Sequence, residues 1–298
     1  MDTKIILKDV NKYYGKYHAL KEINLTIEKG MFGLLGRNGA GKTTLMKVLA
    51  TLLPANSGEI YVYGMPITQR DKIRSMTGYL PQDFSMYGNM TTYEAMDYIG
   101  VLSGLNRSKR KEIIPELLEK VNLQNNQRTK VKAMSGGMRR RLGIAQAILH
   151  DPKVLIVDEP TAGLDPEERV RFRNLLSDIA EDRIVILSTH IVGDVEATCE
   201  NIAIMDMGSI IFKGTVSELL YMAKDHIYSA EISRIELEDI KKQYMITSML
   251  SQGNHVNVRF IANDDAIEIP FIGAIKCEPN VEDAYMYLMH KKEVKDNV

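Results

Sequence analysis

A chain of 298 residues that is 45% hydrophobic has enough apolar material for one large domain and a smaller one, and its composition is not that of a disordered protein. With 38 Lys plus Arg against 39 Asp plus Glu the net charge is −1, which excludes the overall basic footprint of a nucleic-acid binder. No run of about eighteen apolar residues occurs, Met1-Asp2-Thr3-Lys4 has no signal-peptide pattern, and the distant pair Cys199 and Cys277 fits a reducing compartment without forming a metal-ligand pattern; the chain is expected not to cross a membrane itself.

Residues Thr3 to Val10, Ile23 to Ile27 and Glu59 to Tyr63 alternate apolar with polar side chains, the period of half-exposed antiparallel strands. Met31 to Leu35 is a continuous apolar run that reads as a buried strand, and Thr43 to Leu49 carries a helical pattern. Between them stand Gly36-Arg37-Asn38-Gly39-Ala40-Gly41-Lys42-Thr43, with Thr44 following: the G-x-x-x-x-G-K-T spacing of a phosphate loop in its strand-to-helix context. Glycines let successive backbone N–H groups converge on phosphate oxygens, the helix start adds partial positive charge, Lys42 supplies a mobile ammonium, and Thr43 offers a hydroxyl to magnesium. A nucleoside triphosphatase is the expectation, although kinases, GTPases and motor ATPases share the loop.

From Gln82 to His150 the pattern turns helical. Thr91-Thr92-Tyr93-Glu94 is a capping box opening a helix over Tyr93 to Leu102, Ser108 is read as the cap of a second helix that Pro115 kinks or restarts, and a third follows Gly137 through Ile148. Ser135-Gly136-Gly137 opens that third helix and makes a second anion-binding start. Val154 to Val157 and Ile184 to Leu187 are unbroken β-branched or leucine runs, as parallel strands covered on both faces require. The first ends in Asp158-Glu159, at the strand end where open α/β sheets bind ligands. Asp158 is placed to hold magnesium and Glu159 to orient or deprotonate the attacking water, help worth about 10²–10⁴ in rate. Asp206 to Ser209 reads as a tight turn into Ile210-Ile211-Phe212, closing the first domain near Gly214. Apolar stretches at Ile227 to Ile232, Met245 to Leu250 and Val256 to Ile261, then a helical pattern at Val281 to Met289, suffice for a small α+β domain. The expected fold is an α/β phosphate-loop core with an antiparallel β subdomain and a helical insert at about 84–150, forming a domain over 1–217, followed by an accessory domain over 218–298.

The phosphate loop, Ser135-Gly136-Gly137, Asp158-Glu159 and Ser188-Thr189-His190 follow one another in the order seen in ATP-binding cassette (ABC) ATPases, and residues 1–215 resemble that family. The resemblance implies the ABC form of the phosphate-loop fold, with ATP and Mg²⁺ as cofactors. It implies that Tyr14, with Tyr13 as neighbour, stacks on adenine; that Gln82 touches magnesium and leads to the surface where a membrane partner docks; and that His190 contacts the γ-phosphate. Asp165 reads both as the N-cap of a helix with Pro166 at its first position and, by resemblance, as part of a loop that communicates across a dimer. In the family the Ser-Gly-Gly segment of one subunit covers the ATP of another, so a chain with one set of motifs implies a homodimer. Met138 stands where the family has glutamine, and Arg37 where it frequently has proline. The segment Met138 to Ala145 looks most like single-cassette subunits of antibiotic, bacteriocin or multidrug exporters. The resemblance therefore implies a peripheral subunit at the cytoplasmic face of the membrane, bound to a separate transmembrane protein and to no nucleic acid. An importer ATPase and a soluble regulator of translation or DNA repair are the alternatives; a phosphotransferase is the remotest.

Overall fold

The computed structural model describes residues 3–262 and 270–296. Met1 and Asp2, the first two residues of the N-terminal run considered above, lie outside them. The described residues divide into two compact units at Lys213/Gly214, four residues before the boundary expected from the sequence.

In the first unit the chain runs β1 (Ile5–Tyr14), β2 (Tyr17–Ile27), β3 (Gly30–Leu35), α1 (Lys42–Leu49), β4 (Ser57–Val62), β5 (Met65–Pro66), α2 (Arg70–Ser75) and β6 (Thr77–Leu80). It continues through α3 (Thr92–Leu102), α4 (Arg107–Lys120), α5 (Gly136–Ala147), β7 (Val154–Asp158), α6 (Pro166–Ala180), β8 (Ile184–Thr189), α7 (Val192–Thr198), β9 (Asn201–Asp206) and β10 (Ser209–Thr215). Among the described residues, β2-β1-β4-β5 form an antiparallel sheet, and the order β10-β9-β3-β8-β7-β6 makes a six-stranded sheet in which β9, β3, β8, β7 and β6 pair in parallel. Burial on both faces explains the unbroken apolar runs: β7 and β8 are buried at every position. The alternating strands β1 and β4 put Ile5, Leu7, Ile60 and Val62 into one cluster with Met46 and Leu49 of α1 and Val154 and Ile184 of the parallel sheet. Each such side chain contributes about 1.5–3 kcal/mol by leaving water, which fixes α1 and the loop before it against both sheets.

The helical insert differs from expectation at one cap. Thr91 makes the expected capping box with Glu94, but α4 is capped by Asn106, whose Oδ1 accepts from Lys109 N at 2.9 Å, and not by Ser108. Asn106 has the extended backbone (φ −69°, ψ 164°) that aims a side-chain oxygen at the third amide, whereas Ser108 lies one position inside the helix. Pro115 does not end α4: the helix runs from Arg107 to Lys120 with the proline inside it. The hairpin joining β9 to β10 has Met207 (φ 45°) and Gly208 (φ 86°) both left-handed, as a tight two-residue turn demands.

The second unit holds α8 (Val216–Ala223), β11 (Ile227–Ser233), α9 (Leu237–Gln243), β12 (Met245–Gln252), β13 (His255–Ile261), β14 (Ile275–Lys276) and α10 (Val281–Asp296), with strand order β12-β13-β11-β14. Tyr228, Ala230, Ile232, Val256, Val258 and Phe260 form its core. Asp283, 1% exposed at the start of α10, is held by Arg259 Nε at 3.1 Å, by Thr247 Oγ1 and by the backbone N–H of Asn280.

Candidate functional site

The loop between β3 and α1 is shaped by contacts that only glycine permits. A Cβ on Gly36 would stand 2.4 Å from the carbonyl oxygen of Met205, and one on Gly41, whose φ is +105°, would stand 2.8 Å from that of Ala19. Gly41 is the N-cap of α1 and contributes no side-chain cap, so the first amides of the helix remain for a ligand to satisfy. Lys42 is 5% exposed, and its Nζ donates to Gly36 O at 2.7 Å and Arg37 O at 3.3 Å. The loop borders a cavity of about 350 Å³. Asn38, Gly39, Ala40, Gly41, Lys42, Thr43 and Thr44 line it, together with Tyr17 and Ala19 from β2, Gln82 and Glu159. Gly36 and Arg37 act from behind the wall, through their carbonyls on Lys42.

The two carboxylates at the end of β7 meet different neighbours. Asp158 is fully buried; its Oδ1 accepts from Ser188 Oγ at 2.6 Å, while Oδ2 has no protein partner. An unpartnered buried carboxylate oxygen is costly unless something else satisfies it, and a hard divalent cation fits that donor. Glu159 leaves the strand with φ 49°, its N–H donating to Ser188 O at 3.0 Å. This left-handed turn separates the two acids as a continuing strand would not. Glu159 Oε1 lies 3.1 Å from Lys42 Nζ, an ion pair without hydrogen-bond alignment, and Oε2 is 2.6 Å from His190 Nδ1. The fold thus brings Lys42, Glu159 and His190 into one chain of contacts, carried by α1, the end of β7 and the end of β8.

Behind it runs a buried support. Thr161, two residues after Glu159, donates to Asp194 Oδ2 at 2.5 Å, and Asp194, fully buried on α7 four residues after His190, also faces Arg173 at 3.7 Å. This pair ties the segment after Glu159 to the helix after His190.

Other expected residues stand apart from the cavity. Ser135 caps α5 by accepting from Met138 N at 3.2 Å; Ser135 and Gly136 are exposed and Gly137 is buried. Asp165 caps α6 by accepting from Glu168 N at 2.9 Å, with Pro166 following, and is also exposed. Tyr14 stands outside the cavity lining, 47% exposed, and Lys12 Nζ sits 5.6 Å from its ring. Tyr17 lines the cavity instead. Tyr17 and Ala19 alternate on one face of β2, a period-2 signal that the sequence carried, whereas Tyr14 ends the preceding strand. Tyr13 is stacked on His18 with ring centroids 4.0 Å apart.

A glycine-rich strand-to-helix loop holding a lysine, opposite an acidic pair at the end of a neighbouring parallel strand, defines a phosphate-loop nucleoside triphosphatase. A family model described as ABC transporter matches residues 20–162. The linearmycin resistance ATP-binding protein LnrL of Bacillus subtilis (strain 168) is 37% identical over 215 residues, 71% of this chain and 69% of that protein. The Nod factor export ATP-binding protein I of Cupriavidus metallidurans is 36% identical over 223 residues, 74% of each. Among solved structures, cbiO1 from Clostridium perfringens, part of the ABC transporter complex cbiONQ, aligns with a TM-score of 0.68 at 28% identity over 73% of this chain and 90% of that one. The chain belongs to the ATP-binding proteins of ABC transporters. It is an ATP-binding ATPase subunit, and among the described residues no helix is long and apolar enough to cross a membrane.

Proposed function

We propose that the chain drives export as a head-to-tail homodimer attached to a separate transmembrane subunit at the cytoplasmic face of a membrane, with Mg²⁺ held beside ATP. One observation supports this: the cavity is lined by residues 38–44 of the phosphate loop and by Glu159, yet the second anion-binding helix start, with Ser135 and Gly136 exposed, stands outside it. A second copy would bring that start over the triphosphate. The linearmycin resistance and Nod factor export relatives favour export, and the place of cbiO1 in the ABC transporter complex cbiONQ favours a membrane complex.

In this reading the amides of residues 38–44 and the Lys42 ammonium bind the β- and γ-phosphates, and Tyr17 carries the base. Thr43, Gln82 and Asp158 would hold the magnesium, which offsets charge on the phosphate oxygens. Glu159 orients a water whose oxygen bonds to the γ-phosphorus as the bridging bond to the β-phosphate oxygen breaks; the water's proton is taken up at the Glu159 carboxylate. His190, fixed by Glu159, faces the γ-phosphate, and Asp165 lies on the loop that meets the partner.

The test is the purified protein with Mg²⁺ and ATP. Glu159→Gln is expected to retain ATP in a stable dimer with hydrolysis lowered by about 10²–10⁴, and Lys42→Ala to lose nucleotide binding. Undiminished hydrolysis by Glu159→Gln refutes its role, and ATP-dependent accumulation of substrate on the subunit-bearing side of inverted vesicles refutes export.

A further inference from the structure

The helix that carries Ser135 turns two distinct faces to its surroundings. On one, Gly137 and Arg141, a turn apart, meet the start of α6: a Cβ on Gly137 would stand 2.6 Å from Glu168 Oε2, and Arg141 Nε lies 3.4 Å from the same oxygen. Glu168 is the residue whose N–H Asp165 caps, so this face ties α5 to the Asp165 loop. On the other, Arg140 and Gly143 meet the segment around Gln82. Arg140 donates to Gln82 O at 2.6 Å, with Pro81 O at 3.4 Å, and a Cβ on Gly143 would stand 2.6 Å from Leu80 Cδ1 and 3.0 Å from Phe84 Cδ1.

The chain from Pro81 to Asn89 forms neither helix nor strand, so it has no ladder of backbone hydrogen bonds to fix it, yet it delivers Gln82 to the cavity wall. A guanidinium on two successive carbonyls replaces that ladder at the position where it matters. The group is half-buried: burial works against its charge, and the carboxylates of Asp83 and Asp158 favour it. Its own helix begins, five residues earlier, with the exposed Ser135 cap.

We propose that Arg140 is a positioning residue that locks the Gln82 segment to α5, so that nucleotide contact at Gln82 in one protomer sets the Ser135-Gly136-Gly137 tip which that protomer offers to its partner. This rests on the head-to-tail dimer inferred above. Arg140 touches neither nucleotide nor the reacting atoms; it acts through Gln82 on one side and the helix on the other. Glutamine at 140 is shorter and uncharged and loses the charge-assisted bond, while lysine keeps one such bond to a carbonyl.

Four measurements test it: ATP affinity of the full chain at concentrations where it is monomeric, steady-state ATPase, ATP-driven dimerisation in the Glu159→Gln background, and amide hydrogen exchange. Arg140→Gln is expected to leave monomer ATP affinity within about twofold while lowering kcat and dimer affinity by about tenfold or more, the value of a lost charge-assisted hydrogen bond, and Arg140→Lys to recover a substantial part of both. Hydrogen exchange of the amides in 82–86 should rise in Arg140→Gln, with β7 and β8 unchanged. Should Arg140→Gln fail to fold, the same readouts on Arg140→Lys and Arg140→Met decide. Unchanged turnover and dimerisation, or a monomer affinity that falls in parallel with kcat, overturns the proposal while the dimer stands. If Glu159→Gln with Arg140 intact gives no ATP-driven dimer, the head-to-tail reading fails and this role falls with it.

Discussion

The choice between Tyr17 and Tyr14 as the platform for the base leads to a sharp experiment. Tyr17 lines the cavity beside Ala19 and leaves 59% of its surface open, so a stacked base covers ring area that water otherwise holds; Tyr14, 47% exposed, stands outside the lining beside Lys12. Stacking of a base on an aromatic ring is worth about 1–3 kcal/mol per base by alanine substitution. With a single ring on one face of the base, the lower part of that range applies: about 1–2 kcal/mol, or roughly fivefold to thirtyfold in Kd. Tyr17→Ala should weaken ATP by that factor in calorimetric titration of the monomer, whereas Tyr14→Ala should stay within about twofold, as exposed substitutions do. Inorganic tripolyphosphate has no base, so its affinity should be the same in Tyr17→Ala and in the unaltered chain, and Tyr17→Phe should restore ATP binding. A tenfold loss in Tyr14→Ala with Tyr17→Ala unaffected, or an equal loss of ATP and tripolyphosphate in Tyr17→Ala, would refute the assignment.

Three further outcomes follow from particular contacts. Gly36→Ala puts a methyl 2.4 Å from a backbone oxygen that cannot swing away, so denaturant melts should show a loss of about 2–3 kcal/mol and nucleotide binding should fall with it. Asp283→Ala leaves Arg259, Thr247 and the Asn280 amide without their shared acceptor, and should cost the second unit about 2–4 kcal/mol while ATP affinity holds. Burial pushes the Cys199 thiol up to about 11 from 9.0. Because the folded form holds the proton more tightly than the unfolded, stability is full below about pH 9 and falls as pH rises toward 11, by about 1.4 kcal/mol per unit. Between pH 8 and 10, melts should show a stability loss about 1.4 kcal/mol larger in the unaltered chain than in Cys199→Ala.

What could be read from the sequence depended on rules that act within a few residues. The phosphate loop, the buried runs of β7 and β8, the capping box at Thr91 and the Asp165 cap before Pro166 are each fixed by local spacing, and the strand-loop-helix order around Lys42 followed directly. The sequence is least decisive where two similar residues compete and distant packing decides. Ser108 and Asn106 both suit a cap, and the helix start settled on the one with extended backbone. Tyr14 and Tyr17 flank one turn, and which of them faces the loop depends on how β1 and β2 pair, with register shifts between Leu7 and Tyr13 that no local pattern announces. Arg140 and Asp194 left no trace beyond being charged residues on helices, because their partners, the Gln82 carbonyl and the Thr161 hydroxyl, lie 58 and 33 residues away in the chain.

Under the proposed roles, the same geometry would join nucleotide entry to readiness for hydrolysis. Lys42 has its ammonium between Gly36 O, Arg37 O and Glu159 Oε1, and the last of these is the carboxylate assigned to the attacking water. One ammonium cannot keep a 3.1 Å pair with Glu159 and also reach a γ-phosphate, and a triphosphate carries the larger negative charge in a site where water is scarce. The pair is 5% and 4% exposed, so parting it without a replacement leaves two buried charges uncompensated, which is costly. Phosphate binding supplies the replacement for Lys42, and His190 at 2.6 Å retains the other oxygen of Glu159. With the lysine drawn to a phosphate, Oε1 of Glu159 is released toward the cavity while His190 still holds Oε2, so in the proposed mechanism the carboxylate becomes available to water only when a substrate occupies the loop.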